Sequence, residues 1–381
     1  MNRLTISIAA AALLVSACGK DKTAPPKLEG VSMEQAQVFA ENLLTALTKC
    51  DNAAIAAAHD TDAMLKIAVT GSGLTVAERD GVIQGAKQSF EPAAQFCGPM
   101  QPDNHFKLLK VHEHGETTRA LYRVLSEDGV NYIDFVLGKT SADAPVRAHD
   151  YYIYMTGELM TETFRDLIGT MASPTERNSV FATSQAMQRA REMLMQQRYA
   201  EAKSELDSLS PALKKQKSIM LLQVQAAMHL DEATYEASIT AFEKSFPDSP
   251  ALDLVSIDGF VMREQWDDAM AAVERLDKRV GGDTYLMFLR ANLFAAAKKY
   301  DKAKESAEKA LADEPTLVDA MWTLLTVALE TQSFAEAAAL LKRLETEFEV
   351  EMDPGVMAVE PLYAEFLQSD EYRTWLAGRG N

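Results

Sequence analysis

Residues 284–317 read TYLMFLRANLFAAAKKYDKAKESAEKALADEPTL, and the way this stretch folds decides the class of the C-terminal half. Its first part places Met287, Ala291 and Phe294 at i, i+4 and i+7, one face of a helix. Its second part puts Ala303, Ala307 and Ala310 on a single stripe, and Pro315, which cannot continue a helix, stands just past the end. Small residues let paired helices approach closely, and an aromatic near the turn fills the wedge between them. The aromatic start of the second helix recurs as Tyr199-Ala-Glu-Ala, Trp266-Asp-Asp-Ala, Tyr300-Asp-Lys-Ala and Phe334-Ala-Glu-Ala. The last three aromatics are 34 residues apart each time, and a weaker copy, Tyr235-Glu-Ala-Ser, sits at spacings of 36 and 31.

A fixed period of this size indicates a solenoid of helix pairs, and 34 is the tetratricopeptide (TPR) period. Ala291, Tyr300, Ala303, Ala307, Ala310 and Pro315 resemble the signature of that family. The resemblance implies about five helix pairs over residues 183–351, punctuated by Pro211, Pro247 and Pro250, although the pair ending at Leu344 lacks its proline. Residues 352–381 then form a helical cap, laying Leu362, Phe366 and the Tyr372–Leu376 group on the last repeat. The family binds peptides, helices or domains in a concave groove lined by the first helices of the pairs. Arg290, Asn292 and Lys298 are candidate groove residues on that basis, while a solvated helix face accounts for each alone. The repeats hold more acid than base, which favours a basic or amphipathic segment as the protein partner.

Residues 32–174 read differently. MEQAQVFAENLLTALTKCD is an amphipathic helix with Ser32 as N-cap, a second helix runs from Ala53 toward Met64, and another starts near Thr75. Strand-like segments follow at FKLLKVHEHG, TTRALYRVLSE, VNYIDFVLGK and PVRAHDYYIYMTG, separated by turns at Gly115-Glu116, Asp128-Gly129 and Lys139 to Pro145. The expected fold class is therefore an α+β domain with a curved antiparallel sheet, followed by the all-α solenoid. Helices and then a meander resemble the NTF2-like or cystatin-like class in element order. That class implies either a ligand pocket or a filled core behind the sheet. The aromatics of Tyr151 to Tyr154 suit a strand covered on one side and partly exposed on the other.

The chain opens with Arg3, an uncharged run from Leu4 to Leu14, and Val15-Ser16-Ala17-Cys18. The run is too short to span a bilayer and has the length of a signal-peptide core. VSAC resembles the bacterial lipobox, which implies a signal peptide over 1–17, lipidation of Cys18 and a membrane anchor there. Gly19 in place of aspartate implies sorting to the periplasmic face of the outer membrane. Residues 18–31, with Pro25-Pro26, read as a polar tether. Of the three cysteines, Cys50 and Cys97 then remain as a pair in an oxidising compartment. They form either a disulfide or two buried thiols.

Composition narrows the function. A formal net charge of −18 over 381 residues opposes nucleic-acid binding, which needs clustered Lys and Arg. No phosphate-binding, serine-hydrolase, zinc-protease or Cys-x-x-Cys motif occurs in the sequence, and no cofactor or metal is implied. His112 and His114 alternate on one strand without a third ligand at metal spacing, which fits surface histidines on an edge strand. Arg123, Asp134 and Asp150 fall on successive strands, where they make either an ion pair or the carboxylate site of an enzyme. The expectation is a non-catalytic, lipid-anchored scaffold serving envelope biogenesis, secretion or control of cell-wall enzymes. The alternative is a small-molecule or lipid carrier using a pocket in the N-terminal domain.

Overall fold

The computed structural model describes residues 22–87, 91–97, 105–126, 129–172, 177–247 and 249–379. Cys18, its lipobox and the apolar run before it lie outside the described residues. Among those described, the first helices are α1 (Met33–Thr48), α2 (Asn52–Ala58), α3 (Thr61–Val69), α4 (Val76–Ala86) and α5 (Pro92–Phe96). Ser32 starts α1 with a capping box: the Gln35 N–H donates to its Oγ, and its own N–H donates to Gln35 Oε1, both at 3.2 Å. Thr75 and Glu78 repeat the device at α4.

The helix expected from Ala53 toward Met64 is two helices. The chain extends at His59, the Asp60 N–H donates to the Ala148 carbonyl at 2.9 Å, and the Asp60 carboxylate caps α3. A tertiary bond and a new N-cap outweigh continuous helical periodicity. Cys50 and Cys97 are joined in a disulfide with Cα atoms 5.4 Å apart, tying the end of α1 to the end of α5.

The sheet is an antiparallel meander in the order β1 (His105–His114), β2 (Thr117–Ser126), β3 (Gly129–Gly138), β4 (Arg147–Ile153) and β5 (Glu158–Leu159). Side chains alternate across it, as the pleat requires. Tyr122, Phe135 and Tyr151 face inward onto Leu43 and Leu47 of α1, Ile55 of α2 and Phe96 of α5. The Phe135 ring centroid lies 5.4 Å from Tyr122, 5.5 Å from Tyr151 and 5.7 Å from Phe96, and the Tyr122 hydroxyl donates to the Ala40 carbonyl at 2.7 Å. Packed rings fill the interior between the sheet and these helices. The segment before α1 is also not a free spacer throughout: Thr23 and Val31 are buried, and Glu29 exchanges two backbone hydrogen bonds with Lys139.

After α6 (Met160–Ala172) come ten helices, α7 (Arg177–Met195) and α8 (Tyr199–Asp207), α9 (Lys217–Met228) and α10 (Glu232–Ser245), α11 (Ala251–Met262) and α12 (Trp266–Val280), α13 (Thr284–Ala296) and α14 (Tyr300–Asp313), α15 (Val318–Glu330) and α16 (Phe334–Glu347). Four of the five turns within pairs share one geometry. Gln197, Glu264, Lys298 and Gln332 adopt φ between 54° and 58°, each two residues before the aromatic that opens the second helix. In each the following N–H donates five residues back: Arg198 to Met193, Gln265 to Phe260, Lys299 to Phe294 and Ser333 to Ala328. This is the Schellman closure.

The turn from α9 to α10 departs from it. Asp231 caps α10 by accepting from the Thr234 N–H at 2.9 Å, so the repeat position belongs to Glu232, 33 residues after Tyr199 and 34 before Trp266. Tyr235 is therefore not the repeat aromatic. It is buried against Gly259, where a Cβ would strike its ring.

Ala291, Ala303, Ala307 and Ala310 are fully buried, while Met287 and Phe294 are only half-buried. The last pair is covered by α17 (Pro354–Met357), two short 3-10 turns and α18 (Asp370–Gly378). Phe366 and Trp375 join Leu340, Leu341 and Leu344 of α16 in one cluster.

Two outcomes follow. Reducing Cys50–Cys97 opens a loop with a sequence separation of 47 and lowers the unfolding free energy by roughly 3–4 kcal/mol, measured by urea titration with and without reductant. His59 packs among Phe96, Phe135 and Tyr151, with Nδ1 on the Ile55 carbonyl, and burial pushes its pKa down to about 4. Its neutral form is the folded one, so its contribution is whole above pH 6.5 and fades as pH falls toward 4. Asp150, raised to about 6 by burial, acts in the opposite sense. The wild type should lose about 2–3 kcal/mol more than His59→Phe between pH 7.5 and 4.5; equal pH slopes would refute this.

Candidate functional site

The face on which a repeat stack builds its groove is not open along its length. The outer side of the sheet lies against it. Leu121 of β2, Tyr132 of β3 and Tyr154 just past β4 share one buried cluster with Leu254 and Ile257 of α11 and with Leu286 and Leu293 of α13. Both faces of the sheet are therefore covered: Tyr151 is buried on the inner face as expected, and on the outer face, where partial exposure was expected, Tyr152 is half-buried but Tyr154 is buried. The structure also explains the burial pattern of α13, which packs on the sheet as well as on its neighbours.

Arg123 stands at the polar centre of this contact, 4% exposed. Its Nη1 donates to Asp283 Oδ1 at 3.0 Å and to Glu314 Oε2 at 3.1 Å, and its Nη2 donates to Glu314 Oε1 at 2.7 Å. Lys107 of β1 donates to Glu314 Oε2 at 2.5 Å, and the Tyr132 hydroxyl to Asp283 Oδ2 at 2.8 Å. Arg123 is opposite Tyr132 in the β2–β3 register, so neighbouring strands bring both donors to one carboxylate. The Tyr285 ring centroid lies 5.5 Å from the guanidinium carbon.

The repeats present these acids through local turns. Gly281 and Gly282, at φ 81° and 99°, carry the chain from α12 to Asp283, which caps α13. A Cβ on Gly281 would run into Lys110 Nζ of β1. Glu314 closes α14 immediately before Pro315. Burial opposes charge on Arg123, but Glu314 and Asp283 outweigh it and hold its pKa up. Burial likewise opposes charge on Glu314, and Arg123 and Lys107 outweigh it, so that carboxylate stays below its usual range. Burial, with Asp283 beside it, keeps the Tyr132 hydroxyl protonated.

The candidate groove residues do not meet at this contact. Arg290 pairs with Asp277 at 3.2 Å, Asn292 accepts from the Thr323 hydroxyl at 2.6 Å, and Lys298 occupies the left-handed turn position. Tyr300 donates to Glu330 at 3.1 Å, and Pro315 is exposed. Nor do Arg123, Asp134 and Asp150 form one site. His112 Nε2 and Arg119 Nη1 hold Asp134 at 3.0 and 3.5 Å, while Asp150 accepts from both the N–H and the hydroxyl of Thr161. Among the described residues no group of three His, Cys, Asp or Glu side chains is placed to hold a metal ion.

Sequence reading found Arg123 but not its acids. Apolar residues on both faces of β2 to β4 were the available signal, since such strands are covered twice.

No protein-family model matches the chain, and no curated protein does. Among solved structures, it is similar to the crystal structure of PilW, described as a widely conserved type IV pilus biogenesis factor. The identity is 15% and the TM-score 0.41, over 52% of this chain and 91% of that one.

Removing Arg123 leaves two carboxylates facing a covered sheet. Arg123→Ala should cost about 3–5 kcal/mol in chemical denaturation. Arg123→Met combined with Asp283→Asn and Glu314→Gln should recover much of it. A single variant within 1 kcal/mol of wild type would show that the contact is not closed in solution.

Proposed function

We propose that this protein is a non-catalytic, lipid-anchored scaffold of the bacterial envelope that binds other proteins through its helical repeats. The observation that carries the reading is the locking of the central helix pairs, α11 to α14, onto the sheet, with the remaining pairs stacked on them. The VSAC sequence ending at Cys18 and the Gly19 that follows it support an anchor at the periplasmic face of the outer membrane. The disulfide suits an oxidising compartment. The parts are a signal peptide (1–17), a lipidated segment (18–31), an NTF2-like domain (32–174), TPR-like pairs (183–351) and a cap (352–381).

The secured segment from residue 22 shortens the reach of the anchor. Three residues separate Cys18 from Lys22, so at most about 14 Å of chain links lipid to body. A scaffold held this close acts on envelope biogenesis, secretion or cell-wall enzymes working at the membrane surface. The acidic repeats favour a basic or amphipathic partner segment.

Cys18→Ala should move the protein from the membrane fraction to the soluble periplasm and abolish metabolic palmitate labelling. Retention in the membrane would remove the anchor from this reading. The partner test uses photo-crosslinking residues in the full chain, because truncation ahead of the repeats would bare Leu121, Tyr132 and Tyr154. Absence of specific adducts from every repeat position in intact cells would end the scaffold reading.

A further inference from the structure

The sheet does not fill the repeat groove completely. Beside the start of β3 a recess of about 190 Å³ remains between the sheet and the first helices α9, α11 and α13. Val130 of β3 and Met155 after β4 form one wall, Met228 and Gln225 of α9 the other, with Tyr285 of α13 and Asp258 of α11 completing it. The volume is well below the ~300–1,000 Å³ of a pocket for a drug-sized ligand, and equals about six waters at ~30 Å³ each. It has room for one long side chain.

Its chemistry matches the contact next to it. Arg123 enters the groove with an apolar stem among Leu121 and Tyr132, its guanidinium meeting acids presented by the repeats near the Tyr285 ring. The recess offers the same elements again: apolar walls, an exposed carboxylate at Asp258 and the same Tyr285. Among the described residues no hydrogen bond or ion pair holds the Asp258 carboxylate; His229 is the cation-forming group that acts on it. The chain carries a net charge of −18, which draws cationic segments toward it.

We propose that this recess is the partner site of the protein, and that it takes a single lysine or arginine side chain from a partner's apolar-flanked segment. The methylene stem packs between Met228, Met155 and Val130, and the cationic head meets Asp258 at the mouth. The sheet is thus one wall of the partner site as well as the occupant of the rest of the groove. Gln225 and Tyr285 line the same recess, and polar groups beside a carboxylate suit the several donors of a guanidinium, which favours arginine over lysine. The inference rests on the scaffold reading and names the side chain that the scaffold grips.

The probes are Nα-acetyl N-methylamides of arginine, lysine, norleucine and glutamate, titrated into the full chain with methyl-labelled methionines. The arginine and lysine compounds should shift the Met228 and Met155 methyl signals saturably, with Met195 as an unaffected control. Asp258→Asn should weaken the arginine compound about fivefold, as expected for one part-exposed charge pair, without changing the thermal midpoint. Norleucine binding as tightly as lysine, or an unchanged affinity in Asp258→Asn, would overturn the proposal.

A crosslinker at Met228 and another at Ala339 of α16 separate this claim from the one beneath it. Adducts from Met228 that vanish in Asp258→Asn support the recess. Adducts from Ala339 alone overturn the recess while the scaffold stands, and adducts from no repeat position at all, with the arginine compound still bound, overturn the scaffold reading.

Discussion

A guanidinium taken out of water between two carboxylates, one from the start of α13 and one from the end of α14, sets the relation of the two halves of this chain. Arg123 is far more costly to bury alone than to bury with Asp283 and Glu314. The sheet can therefore lie on the repeats only where those acids are. Apolar contact from Leu121, Tyr132 and Tyr154 supplies area without direction. The charge cluster supplies the position. Lys107 and Lys110 of β1, at Glu314 and Gly281, extend the same alignment toward the edge of the sheet.

The contact also answers a need of the repeats. A first helix such as α11 is buried on most of its sides, with Ala251, Leu254, Val255, Ile257 and Gly259 covered along with Asp253 and Ser256. Neighbouring helices cover part of that surface, and an open groove would leave the remainder wet. The sheet covers it instead, much as Phe366 and Trp375 cover the end of the stack. Between the helices of a pair, the recurrent Schellman turn holds Gln, Glu and Lys in a conformation that favours glycine. Packing of the helix pair, rather than the turn residue, maintains that geometry.

Much of this was legible because it is local. The 34-residue period, the alanine stripe, the Ser32 cap and the strand positions all follow from neighbours in sequence. The misreadings share one origin, contact between residues far apart. The chain left a periodic helix at His59 so that the Asp60 N–H bonds Ala148, and Tyr235 imitated a repeat aromatic while packing on Gly259. For the site itself, the sequence shows Arg123, Asp283 and Glu314 as separate charges. Only the fold brings residues 160 and 191 positions apart to one point.

The strap formed by residues 22–31 has a mechanical consequence. A pull on the chain ahead of Lys22 is not delivered to the whole body at once. It meets the burial of Thr23 and then the paired backbone bonds between Glu29 and Lys139, at the exit of β3. Beyond them the load passes through Val31 and the capped start of α1 into the helix layer behind the sheet. The strap is thus the first contact that such a pull loads. Peeling it would free about ten residues, roughly 33–36 Å of extended chain, while the sheet, the repeats and Arg123 stay assembled.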